Sequence, residues 1–478
     1  LLLAVTAAAA EPDPLAGKPP FRRLFLDATV VEESHNLQRV FHAATRHPKN
    51  PLIVKDRDWE GWGPYLYGTV LREDGLFRMW YQVIGDEAAD ACYAESRDGI
   101  AWTKPDLGII ARKGSTKNNI VAAEGVHIPS VVRLPDDNPR GRYAMYSFGG
   151  DLGPHVGFSP DGLRWTWPDD PACHNLFASS DVLNVFYDPY GSRFVATYKT
   201  ATRRHRSVGL ATSKDGVKWT KPTEAAVFTA DDLDPDATQI YGMPVFPYQG
   251  LYIGLPWIYH ARFIKYGRYS PERMYEAQEG SPLTVDVQLA WSWDLQNWTR
   301  TPERAPFLPL GPKGAWDWGM VYTARAPVQV GDELWFYYGG FDGLHDKGQS
   351  RGAIGLATLR LDGFCSMRAG RSEGWLISRR EVIATPAVTI NARTGKSGYV
   401  TAELLDRAGR VLPGFSRKDC LPFAGDSVRA VLRWKTAAFP AKAENGDVRI
   451  RFFLRNADLY SYVPHDVDTA VDDGFRDH

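Results

Sequence analysis

Five short segments place polar or acidic side chains just ahead of apolar, strand-like stretches. They read RDWEGW (57–62), GVHIPS (125–130), SSDVLN (179–184), DATQIYGM (236–243) and AWDWGM (315–320). Asp is a poor strand former and burial penalises charge, so carboxylates recurring at such entries point to a shared site. The chemistry open to them is that of paired carboxyl groups across a glycosidic bond. One, protonated, acts as general acid, and the other acts as nucleophile or as base for water. Glu60, Asp181, Asp236 and Asp317 are the candidate catalytic residues. Asp58, Trp59, His127, Asn184, Tyr241 and Trp318 are candidate substrate contacts, because aromatic faces pack on sugar C–H surfaces while polar groups read hydroxyls. Asp317 lies between Trp316 and Trp318, an aromatic setting suited to shaping a sugar subsite. Bland readings stand beside these: Asp58 as a turn residue paired with Arg57, Asp181 as a turn cap, and Asp236 as one solvated acid of the run DDLDPD (231–236).

The elements that must position these residues form a repeat. Ser-x-Asp-Gly-x-x-Trp occurs as SRDGIAW (96–102), SPDGLRW (159–165) and SKDGVKW (213–219). SWDLQNW (292–298) replaces the Gly, and RLDGF (360–364) lacks the Trp. Asp-Gly suits a tight turn, since Gly accepts positive φ and Asp bonds nearby amides. Asp98, Asp161 and Asp215 are therefore assigned to structure. Each copy follows the same series, a hairpin and then a short strand of small residues, as in VLNVFYDPYGSRFVATYK (182–199) and SVGLATS (207–213). Five such units predict an all-β chain with a five-bladed β-propeller over residues 41–370. Trp102, Trp165, Trp219 and Trp298 are expected at equivalent places in four blades. After residue 370 the pattern becomes alternating strands such as Val448–Arg455, which predicts a C-terminal β-sandwich over 371–463 that supports the propeller.

Composition narrows the classes. A chain of 478 residues, 44% hydrophobic and 24% charged, is neither a disordered tail nor a membrane bundle. A formal net charge of −1 argues against nucleic acid held by a basic field. The 44 Gly, 33 Pro and the abundance of Trp, Tyr and Phe fit short strands and turns. Residues 1–10, LLLAVTAAAA, read as the remnant of a signal peptide, so the protein is expected to be secreted or periplasmic. No segment is long and apolar enough to span a bilayer as a helix. Residues 11–40 read as an N-terminal arm and 464–478 as a loose acidic tail. Cys92, Cys173, Cys365 and Cys420 lack C-x-x-C spacing, leaving buried thiols or bridges open. Nucleotide, zinc-protease and serine-hydrolase motifs are missing, so no cofactor and no metal are expected.

The turns, together with FYDP (186–189), VQLAWSWDLQNWTR (287–300), IGLATLRLDGF (354–364) and DVRIRFFLRNADLYSY (447–462), resemble glycoside hydrolase family 32. The likeness covers most of residues 40–463 and implies a five-bladed propeller, a β-sandwich and hydrolysis by funnel carboxylates. It also implies a role order: Glu60 at the blade entry that carries the nucleophile, Asp181 stabilising charge on the sugar ring or orienting a hydroxyl, and Asp236 or Asp317 supplying the proton. The invertase-type W-[ML]-N-D-P-N-G, R-D-P and E-C motifs are absent, so fructan specificity does not follow. The expected partner is a carbohydrate, and the expected activity is cleavage of a plant, algal or microbial glycan. A non-catalytic sugar-binding propeller and a sialidase-like enzyme are the alternatives. The latter's S-x-D-x-G-x-x-W box is one residue longer than the turn here.

Overall fold

The computed structural model describes residues 21–26, 29–85, 89–123, 126–202, 205–261, 282–345, 350–383, 386–435 and 448–464. The expected signal remnant and nearly all of the acidic tail lie outside them. Among the described residues there is no α-helix, only strands and two single 3₁₀ turns, Gly150–Leu152 and Pro171–Cys173. None is a helix long and apolar enough to cross a membrane. The chain divides into two compact units, residues 42–361 and a second built from residues before 42 and after 361.

In the first unit each repeat folds into an antiparallel sheet. Repeat one runs Pro64–Glu73, Leu76–Ile84, Ala89–Ser96 and Ile120–Ala123. Repeat two has His127–Arg133, Tyr143–Gly149 and Gly153–Ser159, with a Phe158–Thr166 bridge at its outer edge. Repeat three has Leu183–Asp188, Arg193–Ala201, Arg206–Ser213 and Trp219–Thr220. In repeat four the inner three strands are each broken once, so that Thr238–Gly242, Trp257–His260 and Val285–Val287 form one half. Val245–Tyr248, Leu251–Gly254 and Ala290–Ser292 form the other, edged by Trp298–Arg300. Repeat five has Met320–Thr323, Glu333–Phe341 and Gly352–Arg360, and its fourth strand is Thr45–Arg46, from the far end of the unit. Repeat one packs on two, two on three, three on four, four on five, and five back on one. These small sheets form a propeller-like ring, in which Val285 of repeat four pairs in parallel with Met320 of repeat five and so joins part of repeat four to repeat five in one sheet.

The turns explain why the ring holds. In the first copy Asp98 accepts from the amides of Ile100 and Ala101 (2.9 and 2.8 Å), and Ser96 Oγ accepts from Gly99 N. The same bonds recur at Asp161, Asp215 and Asp294. The freed Gly carbonyl points at the preceding repeat. Gly99 O accepts from Tyr337 Oη (2.8 Å), Gly162 O from Trp80 Nε1 (2.7 Å) and Gly216 O from Tyr146 Oη (3.0 Å). These glycines have φ of 73° to 78°, and a Cβ on Gly162 sits 2.7 Å from the Trp80 ring. Both facts demand glycine. In the fourth copy Leu295 adopts φ 69° and packs into the core between repeats three and four. Trp102, Trp219 and Trp298 each donate Nε1 to their own turn carbonyl. Trp165 departs from that equivalence. Its buried Nε1 has no acceptor among the described residues, although at Gly99 and Gly216 one carbonyl takes both the neighbouring Tyr and its own Trp.

The second unit is one curled sheet of eight strands. Val31–His35, Gly374–Ser378, Arg449–Val463, Cys365–Ala369 and Gln38–Phe41 run side by side. The 19-residue strand Ala387–Leu405 pairs the other edge of Arg449–Val463 with register shifts that let the sheet curl. The arm thus contributes strands to this sheet. All four cysteines are buried free thiols.

Two outcomes follow. Tyr337→Phe removes the bond that joins repeat five to repeat one and should lower unfolding free energy by about 1 kcal/mol. Gly162→Ala should lower it by about 1–3 kcal/mol through overpacking at positive φ. Urea titration followed by Trp fluorescence measures both. Separately, turn amides hold the Asp98 carboxyl low, and at Asp161, Asp215 and Asp294 the same bonds outweigh a burial that pushes the other way. Carboxyls depressed in the folded state stabilise it above their unfolded pKa, about 4, and that stability is lost as pH falls through the folded values. Unfolding free energy should therefore drop below about pH 4, with a flatter profile in the Asp98→Asn, Asp161→Asn double variant.

Candidate functional site

The hairpin of repeat three creates the first juxtaposition. Asp188 pairs with Arg193 and the ladder continues to Lys199, whose amide donates to Val182 O (2.8 Å), while Ser180 N donates to Lys199 O (2.9 Å). Asp181 therefore lies beside Lys199, and its carboxylate forms an ion pair with the ammonium. Ser180 Oγ donates to the same carboxylate oxygen at 2.8 Å. Burial pushes the Asp181 carboxyl up, but Lys199, Ser180 and His127 outweigh it and hold it at about 2. Asp181 is an anion at any physiological pH.

Around this pair the inner strands deliver aromatic rings. Lys199 Nζ sits 4.4 Å from the Tyr241 ring centroid, a cation over a π face. Tyr241 contacts Tyr322 (5.5 Å between centroids) and His345 (5.1 Å), and His345 lies on Tyr259 (4.4 Å). Tyr322 meets Tyr67 (4.9 Å), which reaches His127 (6.2 Å). Four repeats thus contribute to the wall near the Asp181–Lys199 pair in repeat three. Burial, then the Asp181 charge, push the Tyr241 hydroxyl up to about 12, so it keeps its proton.

His127 is held by a strained turn. Ile128 adopts φ 60°, a conformation β-branched residues avoid. The fully buried Gln82 accepts from Ile128 N (3.1 Å) and donates to Val126 O (3.2 Å) and His127 Nδ1 (3.1 Å). The first two bonds orient the amide, so the third makes Nδ1 the acceptor and leaves the imidazole proton on Nε2. Ser147 Oγ fixes the His127 carbonyl at 2.9 Å. Burial pulls the imidazole down to about 4, with Asp181 opposing, so His127 is neutral near pH 7. Such strain costs about 1–3 kcal/mol and collects at functional sites.

The structure thus brings Asp181, His127 and Tyr241 together. Asn184 follows on the inner strand of repeat three, buried, with its Nδ2 lacking an acceptor among the described residues. The other expected residues sit elsewhere. Glu60 is fully buried, and its oxygens accept from Lys104 Nζ (2.6 Å), Tyr81 Oη (3.4 Å) and the amides of Asp56 and Arg57. Those bonds tie down the loop before repeat one. Asp58 is exposed on that loop, and Trp59 packs against the repeat-one core. Asp317 is buried, bound by Arg46 Nε (2.7 Å) and Tyr338 Oη (2.9 Å), and so anchors the closing strand. Trp318 donates to Asp342 O at 2.6 Å. Asp236 is exposed on its turn, where Asp234 takes Arg300 and Asp231 takes Arg304. Lys199, Arg206, Tyr67, Tyr259, Tyr322 and His345 were not singled out from sequence. Counting back from the FYDP-YGS hairpin finds Lys199; nothing local marks the others. Among the described residues no group of three or more His, Cys, Asp or Glu is placed to hold a metal ion.

No family model and no curated protein matches the sequence. Solved structures do. A glycosyl hydrolase from Bacteroides ovatus is 13% identical, covering 67% of this chain and 94% of its own, at TM-score 0.45. A structure from the GH130 family of mannoside phosphorylases, described as containing glycoside hydrolases that target β-1,2 mannosidic linkages, is 15% identical over 67% and 94% at TM-score 0.44. A fructofuranosidase from Schwanniomyces occidentalis is 10% identical over 89% and 99% at TM-score 0.42. These neighbours are glycoside hydrolases.

Replacing Lys199 by Met should release the Asp181 carboxyl upward from about 2, because burial then acts without its counter-charge. A ¹³C NMR titration of labelled Asp carboxyls checks this. An unmoved resonance speaks against the pairing.

Proposed function

We propose that this chain is an exported glycoside hydrolase that works at the mouth of the propeller ring. The observation that carries the reading is the ionised Asp181 held against Lys199 beside a wall of tyrosines drawn from several repeats. A sugar ring packs on such a wall through its C–H faces, and Asp181 is the group able to attack an anomeric carbon or activate water. Its low pKa excludes it as the general acid near neutral pH. Tyr241 keeps its proton there and supplies a donor that a departing oxygen needs. This moves the centre of the reaction from Glu60 to Asp181, since Glu60 and Asp317 have their oxygens occupied by structural partners. The resemblance to family 32 supports the class, and the apolar residues 1–10 support export.

One observation favours the second reading, a sugar-binding propeller without catalysis. Of the four acids expected to act together, only Asp181 belongs to the aromatic cluster.

Reducing-sugar release over a panel of plant, algal and microbial glycans decides between them. On a cleaved glycan, Asp181→Asn should lower kcat by about 10³-fold or more with an unchanged melting profile, while Glu60→Gln acts chiefly on stability. Retained turnover in Asp181→Asn overturns the assignment. Binding without cleavage across the panel selects the second reading.

A further inference from the structure

Arg206 opens the third strand of repeat three, and its amide donates to Gln239 Oε1 of repeat four at 2.7 Å. Its guanidinium carbon sits 5.6 Å from the Tyr241 centroid and 5.7 Å from the Tyr259 centroid. Two rings therefore hold the cation, yet no carboxylate pairs with it among the described residues. Its Nη1 is buried without an acceptor. Buried donors are nearly always satisfied, and an unmet one on a charged group is costly. Lys199 lies over the same Tyr241 ring and pairs with Asp181, so two cations flank that ring. On the neighbouring strand of repeat four, Asp286 Oδ2 pairs with His260 Nε2 at 2.6 Å, while its Oδ1 is buried without a partner among the described residues.

We infer that the funnel takes an acidic glycan and that Arg206 receives the carboxylate of a uronic acid residue. The inference rests on the sugar site proposed above and names its substrate class. A guanidinium presents two parallel N–H donors that match a planar carboxylate, whereas a neutral hydroxymethyl group leaves one donor unmet. The aromatic pair clamps the guanidinium plane, so little side-chain freedom is lost on binding. Arg206 adds a positive charge to this wall beside the Lys199–Asp181 pair, which favours an anion there.

The test is calorimetric binding of the purified full chain to polygalacturonate, alginate and glucuronoxylan, each beside its carboxyl-reduced form, with a sulfated galactan as a further arm. At least one acidic polymer should bind 10-fold or more tightly than its reduced form at low salt, and the ratio should shrink as salt rises. Arg206→Met should bring that ratio close to one. Arg206→Lys, which keeps the charge and loses the fork, should retain part of it. Circular dichroism melts of both variants check that the fold is intact. Equal affinity for acidic and reduced forms, or a ratio unaltered in Arg206→Met, overturns the inference while leaving the sugar site standing. Preference for the sulfated galactan alone overturns the uronate assignment. If no polymer of either kind binds, the sugar site itself fails with it.

Discussion

The bond from an aromatic side chain to the turn carbonyl of the next repeat is the constraint on which the first unit depends. A small antiparallel sheet cannot bury both of its faces alone, so each repeat needs a neighbour in one rotation. The Ser-x-Asp-Gly turn supplies it by satisfying its own amides with Asp and turning one carbonyl outward. Trp80 reaches Gly162, Tyr146 reaches Gly216, and Tyr337 reaches Gly99 across the closure. Glycine serves twice at each turn, once for φ and once for room. Where Leu295 replaces it, apolar packing takes over from the hydrogen bond.

That constraint leaves the centre free to be polar. Tyr67, Tyr241, Tyr259, Tyr322 and His345, drawn from three repeats, meet in an aromatic cluster no single repeat could make. Holding it together needs local sacrifices. Ile128 is strained and Asn184 carries an unmet amide. Gln82 and Ser147 hold the strained turn in place, and both are buried without exposure. Strain carried by buried amides rather than by a mobile loop makes the His127 position rigid.

The ring was legible because its information is local: Asp, Gly and Trp recur at fixed offsets within seven residues. The funnel was legible only in part. Position at a strand entry is readable, and it located Asp181, His127 and Tyr241. What distinguishes them from Glu60 or Asp317 is the identity of distant partners. Lys104 lies 44 residues from Glu60, and Arg46 lies 271 from Asp317. Glu60 and Asp181 each meet a buried ammonium, but the Glu60 side chain has no exposure and also takes two loop amides, whereas the Asp181 side chain is 41% exposed. Only the folded chain separates these cases. The second unit shows the same limit, since alternation identifies its strands but not that they join in one curled sheet.

The closing strand has a consequence in time. Residues 45–53 edge the sheet of repeat five, with Asn50 bonding both the amide and the carbonyl of Leu356, 306 positions away. During synthesis at roughly 5–20 residues per second, this edge waits about 15–60 s for its partner. Until then Gly352–Arg360 does not exist, Tyr337 is unmade or unlatched, and the first sheet offers open backbone to any neighbouring chain. The molecule is an open arc for most of its birth and becomes a ring in one late, long-range step. The yield of folded chain is therefore expected to depend on that late closure as well as on the final stability of the ring.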